Sequence, residues 1–383
     1  MTSVINEHSH GLAPVQMRSE RKRSTNIDDF APIAKTEEQW RYLDAERLLG
    51  LDAALLPAFT GKLAFSAPEG ATHSVAGIDH KAFGSAGTPE DRVAAAAWGA
   101  GGQVQLISVP ANFSSTEPVR LEITGESLIP SGLHIVIEAG AFAEVTIVVD
   151  HRGQAALAEN IEIIAGDESK LKIVSVQDWT RDSAHVSAQY IKLGRNAQLE
   201  HVVVTLGGDT VRVTPTVAYS APGGDVNLLG AYFATAGQHF EHRPFVDHSQ
   251  PNCKSNVTYK GALQGEKAHT VWVGDVLIRK AAEGTETYEL NRNLLLTDGA
   301  RADSVPNLEI ETGEIEGAGH ASASGRFDDE QLFYLQARGI PELDARRLVV
   351  RGFLNEVIQH ISVEDIEERL SATIETELAR SIN

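Results

Sequence analysis

Histidine, carboxylate and thiol side chains concentrate in one stretch, His239-Phe-Glu241-His242-Arg-Pro-Phe-Val-Asp247-His248-Ser249, followed by Cys253. Those donor types together suit a transition-metal site. Spacing argues against one built by this chain alone, because His239 and His242 fall on opposite faces of an extended strand. The same alternation separates Asp247, His248 and Ser249, whose letters imitate a hydrolase triad without allowing its hydrogen-bonded relay. Cys253 is the single cysteine in 383 residues. An internal disulfide, a four-cysteine zinc site and an all-cysteine iron–sulfur cluster are therefore excluded for this sequence alone. An inert buried thiol is the ordinary reading of Cys253, and a reactive one the alternative.

His320 lies elsewhere, in Glu316-Gly-Ala-Gly319-His320-Ala-Ser-Ala-Ser-Gly325, where small neighbours leave its imidazole little cover. Such a histidine either caps a carbonyl at a seam or supplies a functional nitrogen. Trp272 and Phe327 read most simply as core. Gly223-Gly224-Asp225 opens no helical pattern and lacks the Lys-Ser/Thr of a phosphate cradle, so it reads as a turn.

The elements that must carry these residues fall into zones. Residues 1–26 hold few apolar anchors and the basic run Arg18-Ser-Glu-Arg21-Lys22-Arg23, and are expected to form a mobile tail. That run reads as a solvated patch, with a localisation or docking signal as the alternative. Residues 27–100 read as mainly helical. Thr36 and Gln39 have capping-box spacing ahead of Trp40, Leu43 and Leu48, and a second helix is predicted over 89–98 with Thr88 as its cap.

From about 103 to 310 the pattern switches to short alternating runs rich in Val and Ile, such as Leu133-His-Ile135-Val-Ile137 and Val145-Thr-Ile147-Val-Val149. A turn form precedes many of them: Gly140…Ala143…Val145, Gly166…Ser169…Leu171, Gly194…Ala197…Leu199 and Gly223…Val226…Leu228. Its glycines recur at intervals of 26, 28 and 29 residues, with weaker echoes at Gly265 and Gly299. Glycine tolerates the positive φ of a tight corner, and a small residue lets stacked coils approach. The quasi-period predicts a β-solenoid over 101–325. A β-sandwich and chance recurrence in a glycine-rich chain are the rivals.

The period becomes helical again over 326–383. One helix is predicted from the Asp328-Asp329-Glu330 opening to Arg338-Gly339, a second over 342–360 after Pro341, and a third from Val363 with Ser362 as cap. Their apolar faces require cover from the end of the sheet body, a partner, or both.

Composition bounds the function. There are 33 basic and 53 acidic residues, a net charge of −20 with histidine neutral, which disfavours nucleic acid and anionic membranes. Apolar residues at 42% fit a globular chain. No run approaches a membrane span, and His8, His10, Arg18 and Glu20 interrupt any secretory apolar region, so a soluble, cytoplasmic protein is expected.

Between Glu241 and Phe353 an ordered series of stretches carries a family likeness: His248-Ser-Gln-Pro-Asn-Cys253-Lys-Ser255, Tyr259-Lys260-Gly261, Asn291-Arg-Asn293-Leu-Leu-Leu296, Pro306-Asn-Leu308-Glu309-Ile310, Gly319-His320, and Asp329-Glu-Gln-Leu-Phe333-Tyr334-Leu335-Gln-Ala-Arg338-Gly339-Ile340. Trp40-Arg41-Tyr42 adds to it near the N-terminus. The series resembles the SufB/SufD family of the SUF iron–sulfur cluster assembly system, on its SufD side. The resemblance implies a right-handed parallel β-helix core with helical N- and C-terminal regions. It also implies a non-catalytic scaffold subunit that pairs with SufB through the β-helix and docks the ABC-type ATPase SufC through its C-terminal helices. Phe333, Tyr334, Arg338, Gly339, Ile340, Arg346 and Phe353 are the implied SufC contacts, and a homodimer is left open for the free chain.

His320 matches the histidine of the family's Cys-Ser-His element, implicated as a cluster ligand at the SufB–SufD interface; here the element reads Ala318-Gly319-His320. The resemblance thus implies no cofactor held by the isolated chain, and a transient iron–sulfur cluster shared with SufB. His248 and Cys253 remain further candidates. Leu294 to Val305 lacks the cysteines expected of SufB, which assigns the D role over that of a SufB-like paralogue. Two other classes are weighed. A β-solenoid carbohydrate lyase or hydrolase would need clustered carboxylates, for which Glu241 and Asp247 are the tempting pair. A metal-storage or metal-sensing protein would use His239, His242 and Cys253.

Overall fold

The computed structural model describes residues 22–326 and 329–380. Its body is a parallel β-solenoid of about eight turns. Each turn lays one strand on each of two facing sheets. The first sheet stacks Glu144–Gly153, Lys170–Trp179, Gln198–Thr205, Asp225–Ala234, Lys254–Leu263, Glu286–Leu295 and Gly317–Arg326 in parallel register. The second runs through Ala156–Ala165, Ala184–Leu193, Thr210–Tyr219, the pair His239–His242 and Phe245–His248, then His269–Ile278 and Arg301–Ile310. The long strands Val119–Ala139 and Glu144–Ala165 pass through the corner and join the sheets.

Strict alternation puts every second side chain inside, and in-register parallel stacking lines these into columns. Val145, Leu171, Leu199 and Val226 form one such column. The glycine turns do stack into a corner, for a different reason from the one expected at Gly140, Gly166 and Gly194. None of these three has positive φ. They let coils touch: a Cβ on Gly166 would lie 2.6 Å from the carbonyl carbon of Gly140. The left-handed residue comes two positions later, at Phe142, Glu168 and Asn196, and continues through Gly223, Asn252 and Gly284. Gly223 therefore stacks on Asn196 rather than Gly194, and Val226 rather than Leu228 pairs with Leu199. Insertions lengthen later coils, so stacked partners 28 residues apart at Ala155 and Ser183 become 32 apart at Ser255 and Thr287.

The stretch 27–100 is less helical than the sequence predicts. It contains two strands, Lys62–Ser66 and Thr72–Gly77, and one short α-helix, α1 (Arg92–Ala97). Trp40, Leu43 and Leu48 are buried as expected, but Trp40 and Leu48 sit on 3-10 turns at Glu38–Trp40 and Ala45–Leu48, with Leu43 between them. The Thr36 capping box does not form; Glu37 occupies the cap position without a side-chain bond. Asp91, not Thr88, caps α1 by accepting from the Ala94 amide. Docking replaces helix length as the source of order: the Arg212 guanidinium stacks 3.9 Å over Trp40 and donates to the Gln39 carbonyl at 2.6 Å. Of the expected tail, residues 1–21 lie outside the described residues. Residues 22–26 sit against the body, where the Ser24 amide donates to the Pro89 carbonyl.

At the other terminus are α2 (Asp329–Ala337), α3 (Glu342–Ile358) and α4 (Glu364–Arg380). Phe327 lies outside the described residues. These helices cover the flank of the first sheet, not its end. Val350, Leu354, Val357, Ile366, Leu370 and Ile374 recur at helical spacing and pack on the outward Val174, Val176, Val202, Val204 and Leu229. Arg369 locks α4 down by bonding Asp178 at 2.7 Å and Asp150 at 2.8 Å. Ser362 does not cap α4: it adopts φ 55°, and its hydroxyl accepts from Lys172. No described helix is long and apolar enough to cross a membrane.

Candidate functional site at the open end of the solenoid

Arg301–Ile310 and Gly317–Arg326 are the last strands of their sheets, and each is paired on one side only among the described residues. The backbone groups along their other edges are therefore available to another strand. Gly317–Arg326 is built almost wholly from Gly, Ala and Ser, which cannot cover the coil below. His320 stands exposed in that strand, in parallel register with Glu289, so both belong to one inward-facing column.

The interior behind His320 is polar. Thr287, Glu289, Asn291 and Asn293 all point inward from Glu286–Leu295. Asn291 and Asn293 form a network with Tyr232, Ser304 and Ser324: Tyr232 donates to Asn293 at 2.8 Å, Asn293 to Ser324 at 3.2 Å, and Ser304 to Asn291 at 2.6 Å. Glu289 has no such partners. It is 1% exposed, and neither carboxylate oxygen has a hydrogen-bond partner. Burial, reinforced by the nearby Asp275 charge, pushes its carboxyl up to about 9, so it is neutral at pH 7. The exposed imidazole offers one nitrogen donor at the mouth, a ligand type suited to iron and other borderline metals, while the neutral Glu289 carboxyl beneath it supplies no anionic ligand.

The histidine-rich stretch is dispersed as alternation requires. His242 faces inward, stacked 4.7 Å from Tyr232 and 3.0 Å from the Thr205 hydroxyl, and burial drives its imidazole down to about 3. His239 faces outward, 3.1 Å from His269. Glu241 is gripped by Arg212 at 2.7 Å and Arg243 at 3.0 Å, and despite burial these guanidinium charges hold it at about 2. Asp247 accepts two bonds from Arg279, at 2.7 and 2.8 Å. Glu241 is thus not placed as a proton-bearing acid for glycoside chemistry, and Asp247 is engaged by Arg279.

His248 is buried, stacked 4.9 Å from Tyr219 and 2.9 Å from the Ser255 hydroxyl, and burial lowers it to about 3. Ser249 turns away to the Tyr219 carbonyl, so the three triad letters form no relay. Cys253 is buried in the turn before Lys254–Leu263, and burial raises its thiol pKa, which disfavours the reactive thiolate. Trp272 is fully buried core.

The implied partner residues of the C-terminal region divide in two. Phe333 and Tyr334 stand 72% and 55% exposed on α2, with Arg338 stacked 4.4 Å from the Tyr334 ring and Gly339 exposed at φ 85°. Ile340 and Phe353 pack inside the chain, Phe353 under the Lys260 ammonium at 5.0 Å, and Arg346 pairs with Glu342. Sequence reasoning missed Glu289 as a site residue. Its signal was present, since polar residues at every second position of 287–293 mark one face of a strand as polar.

A family profile described as "SUF system FeS cluster assembly, SufBD core domain" matches residues 123–353, which is most of the solenoid together with α2 and most of α3. The chain belongs to the SufBD family. The iron-sulfur cluster assembly SufBD family proteins Mb1497 of Mycobacterium bovis and Rv1462 of Mycobacterium tuberculosis are each 49% identical over 364 residues, covering 93% of this chain and 91% of theirs. The iron-sulfur cluster assembly protein SufD of Bacillus subtilis is 26% identical over 280 residues, 70% of this chain and 63% of the relative. For this SufBD protein the expected class of parallel solenoid is met by the structure.

Proposed function

We propose that this SufBD protein is a non-catalytic scaffold subunit that builds a transient iron–sulfur cluster jointly with a SufB-type paralogue. The observation that carries the reading is the open terminal coil: two unpaired strand edges flank an exposed His320 that has a polar interior behind it. A partner strand adds to such an edge through main-chain hydrogen bonds, which would bring its thiolates beside the imidazole. One histidine and one remote buried thiol cannot hold a cluster alone, so the remaining ligands come from the partner and no cofactor resides on the free chain. A SufC-type ABC ATPase would grip the exposed α2 surface of Phe333, Tyr334, Arg338 and Gly339. ATP-driven pairing of two ATPase subunits would then strain the seam and expose the cluster, in the cytoplasm.

The test is co-expression with SufB- and SufC-type partners from the same source, followed by affinity capture of this chain. Deleting the C-terminal helices would bare Val174, Val202 and Leu229, so point variants are preferred. Phe333→Ala combined with Arg338→Glu should release the ATPase and keep the paralogue. His320→Ala should keep both partners and lower cluster formation. Capture of neither partner by the wild-type chain would refute the proposal, and loss of assembly in His320→Ala would make that residue structural rather than a ligand.

A further inference from the structure

Far from the open end, the solenoid interior holds a second polar knot. His151 lies near the end of the first-sheet part of Glu144–Ala165, Glu159 lies beyond the Gly153 corner on the second-sheet part, and His185 follows one coil later, on Ala184–Leu193. All three side chains are buried, and one ligating atom from each lies within 4.8 Å of the others.

The hydrogen bonds fix what the imidazoles present. His151 Nδ1 lies 2.8 Å from the Val176 carbonyl oxygen, which can only accept, so Nδ1 carries the hydrogen. In the neutral ring, Nε2 is then a bare lone pair 2.9 Å from Glu159 Oε1. Two lone pairs do not face each other at that distance without a cation between them. His185 also lies against the carboxylate, with Nε2 3.3 Å from Glu159 Oε2, but neither of its ring nitrogens is hydrogen-bonded, so nothing fixes its tautomer. Ser187 donates to the same oxygen at 2.9 Å.

A proton on His151 would satisfy one side and leave His185 only a long 3.3 Å approach to the carboxylate. A metal ion engages all three groups. We propose that His151, Glu159 and His185 form an enclosed site for one divalent transition-metal ion of the Zn2+ or Fe2+ class, bound through two imidazole nitrogens and a carboxylate. Ligands about 2.0–2.2 Å from such an ion stand roughly 3.3 Å apart in a tetrahedron, and the two histidine–carboxylate separations, 2.9 and 3.3 Å, are close to that. The His151 Nδ1–H bond to a backbone carbonyl is the kind of contact that orients a metal-bound histidine. Trp179 closes the site, its ring 5.5 Å from His151 and 5.6 Å from His185. With no path from solvent, the ion enters as the chain folds and ties the two sheets together across their corner. The site is independent of cluster building at the far end.

The experiment is elemental analysis of the purified full-length protein, then unfolding in chelator and refolding with Zn2+, with Fe2+ under anaerobic conditions, or with no metal. Expected are about one equivalent of metal per folded chain, retained through dialysis against chelator, and a higher Tm after refolding with metal. Glu159→Gln and His185→Gln should each lose the ion. Co2+ refolded into the wild type should show visible d–d absorption that His185→Gln removes. If the variants do not fold, the wild-type refolding series decides alone. Folded wild-type protein with less than ~0.1 equivalent after every refolding, and one unchanged Tm, would overturn the site and leave a proton as the cation.

Discussion

The two ends of the solenoid solve the same problem in opposite ways. At the N-terminal end, Lys62–Ser66 pairs antiparallel with the start of Val119–Ala139, and Thr72–Gly77 pairs antiparallel with Gln103–Val109, so the first coils are covered. The interior there is aliphatic: Val119, Leu121, Ile123, Ile135 and Ile137 are fully buried. At the C-terminal end nothing in the described chain covers the last coil, and beside Ala302 and Leu308 its inward face carries the polar Glu289, Asn291, Asn293 and Ser304, with His320 exposed at the mouth. An exposed aliphatic coil would aggregate through its edge, whereas a polar one persists in water until a specific strand arrives. The capped end is built for stability, and the open end keeps unused bonding capacity.

That contrast is breakable. The largest effect is expected from making the capped end polar: Ile135→Asn buries an amide without partners and should cost about 3–5 kcal/mol, read from denaturant unfolding. Glu289→Gln probes the open end. A carboxyl whose value rises from 4.5 to about 9 on folding favours the native state fully below the unfolded value, and that contribution is lost as pH rises through the folded one. Wild-type stability should fall from about pH 5 to about pH 8, and the variant should lack about 4 kcal/mol of that fall, at about 1.4 kcal/mol per pH unit. Parallel pH profiles would show that Glu289 is not the buried acid described. Asn293→Ala removes the hub of the Tyr232–Ser304–Ser324 network and should cost about 1–2 kcal/mol by thermal unfolding. His320→Ala should change stability by no more than ~0.5 kcal/mol, since the ring is exposed, while cluster assay in the complex falls. A large stability loss there would mean that the mouth is structural and the two ends are alike.

Much of the architecture was legible because it rests on local regularities. Alternation over 103–310, the recurring glycine corners and the helical spacing of Val350, Leu354 and Val357 each repeat one physical rule. What was not legible depends on contacts between distant residues. The N-terminal stretch looks helical by the spacing of Trp40, Leu43 and Leu48, yet Arg212 and Arg243 hold it in short turns by binding the Gln39 carbonyl from far along the chain. Thr36 and Ser362 have capping chemistry, but the backbone enters each turn elsewhere. Of the site, His320 was visible through its bare surroundings. Glu289 and the His151–Glu159–His185 knot were not, because residues on successive coils meet only once the corners set the register.

By itself the sequence determined a stacked β body, a helical C-terminal flank and the impossibility of an all-cysteine cluster on one cysteine. It could not decide which alternating face is inside. Both faces of these strands are apolar: Val145, Ile147 and Val149 fill the interior, while Val148, Val174 and Val202 seat the C-terminal helices. A period of two names two faces without orienting them. Tertiary structure made that choice by closing the corners, and the same closure stranded Glu289 beneath His320 at the one end left open.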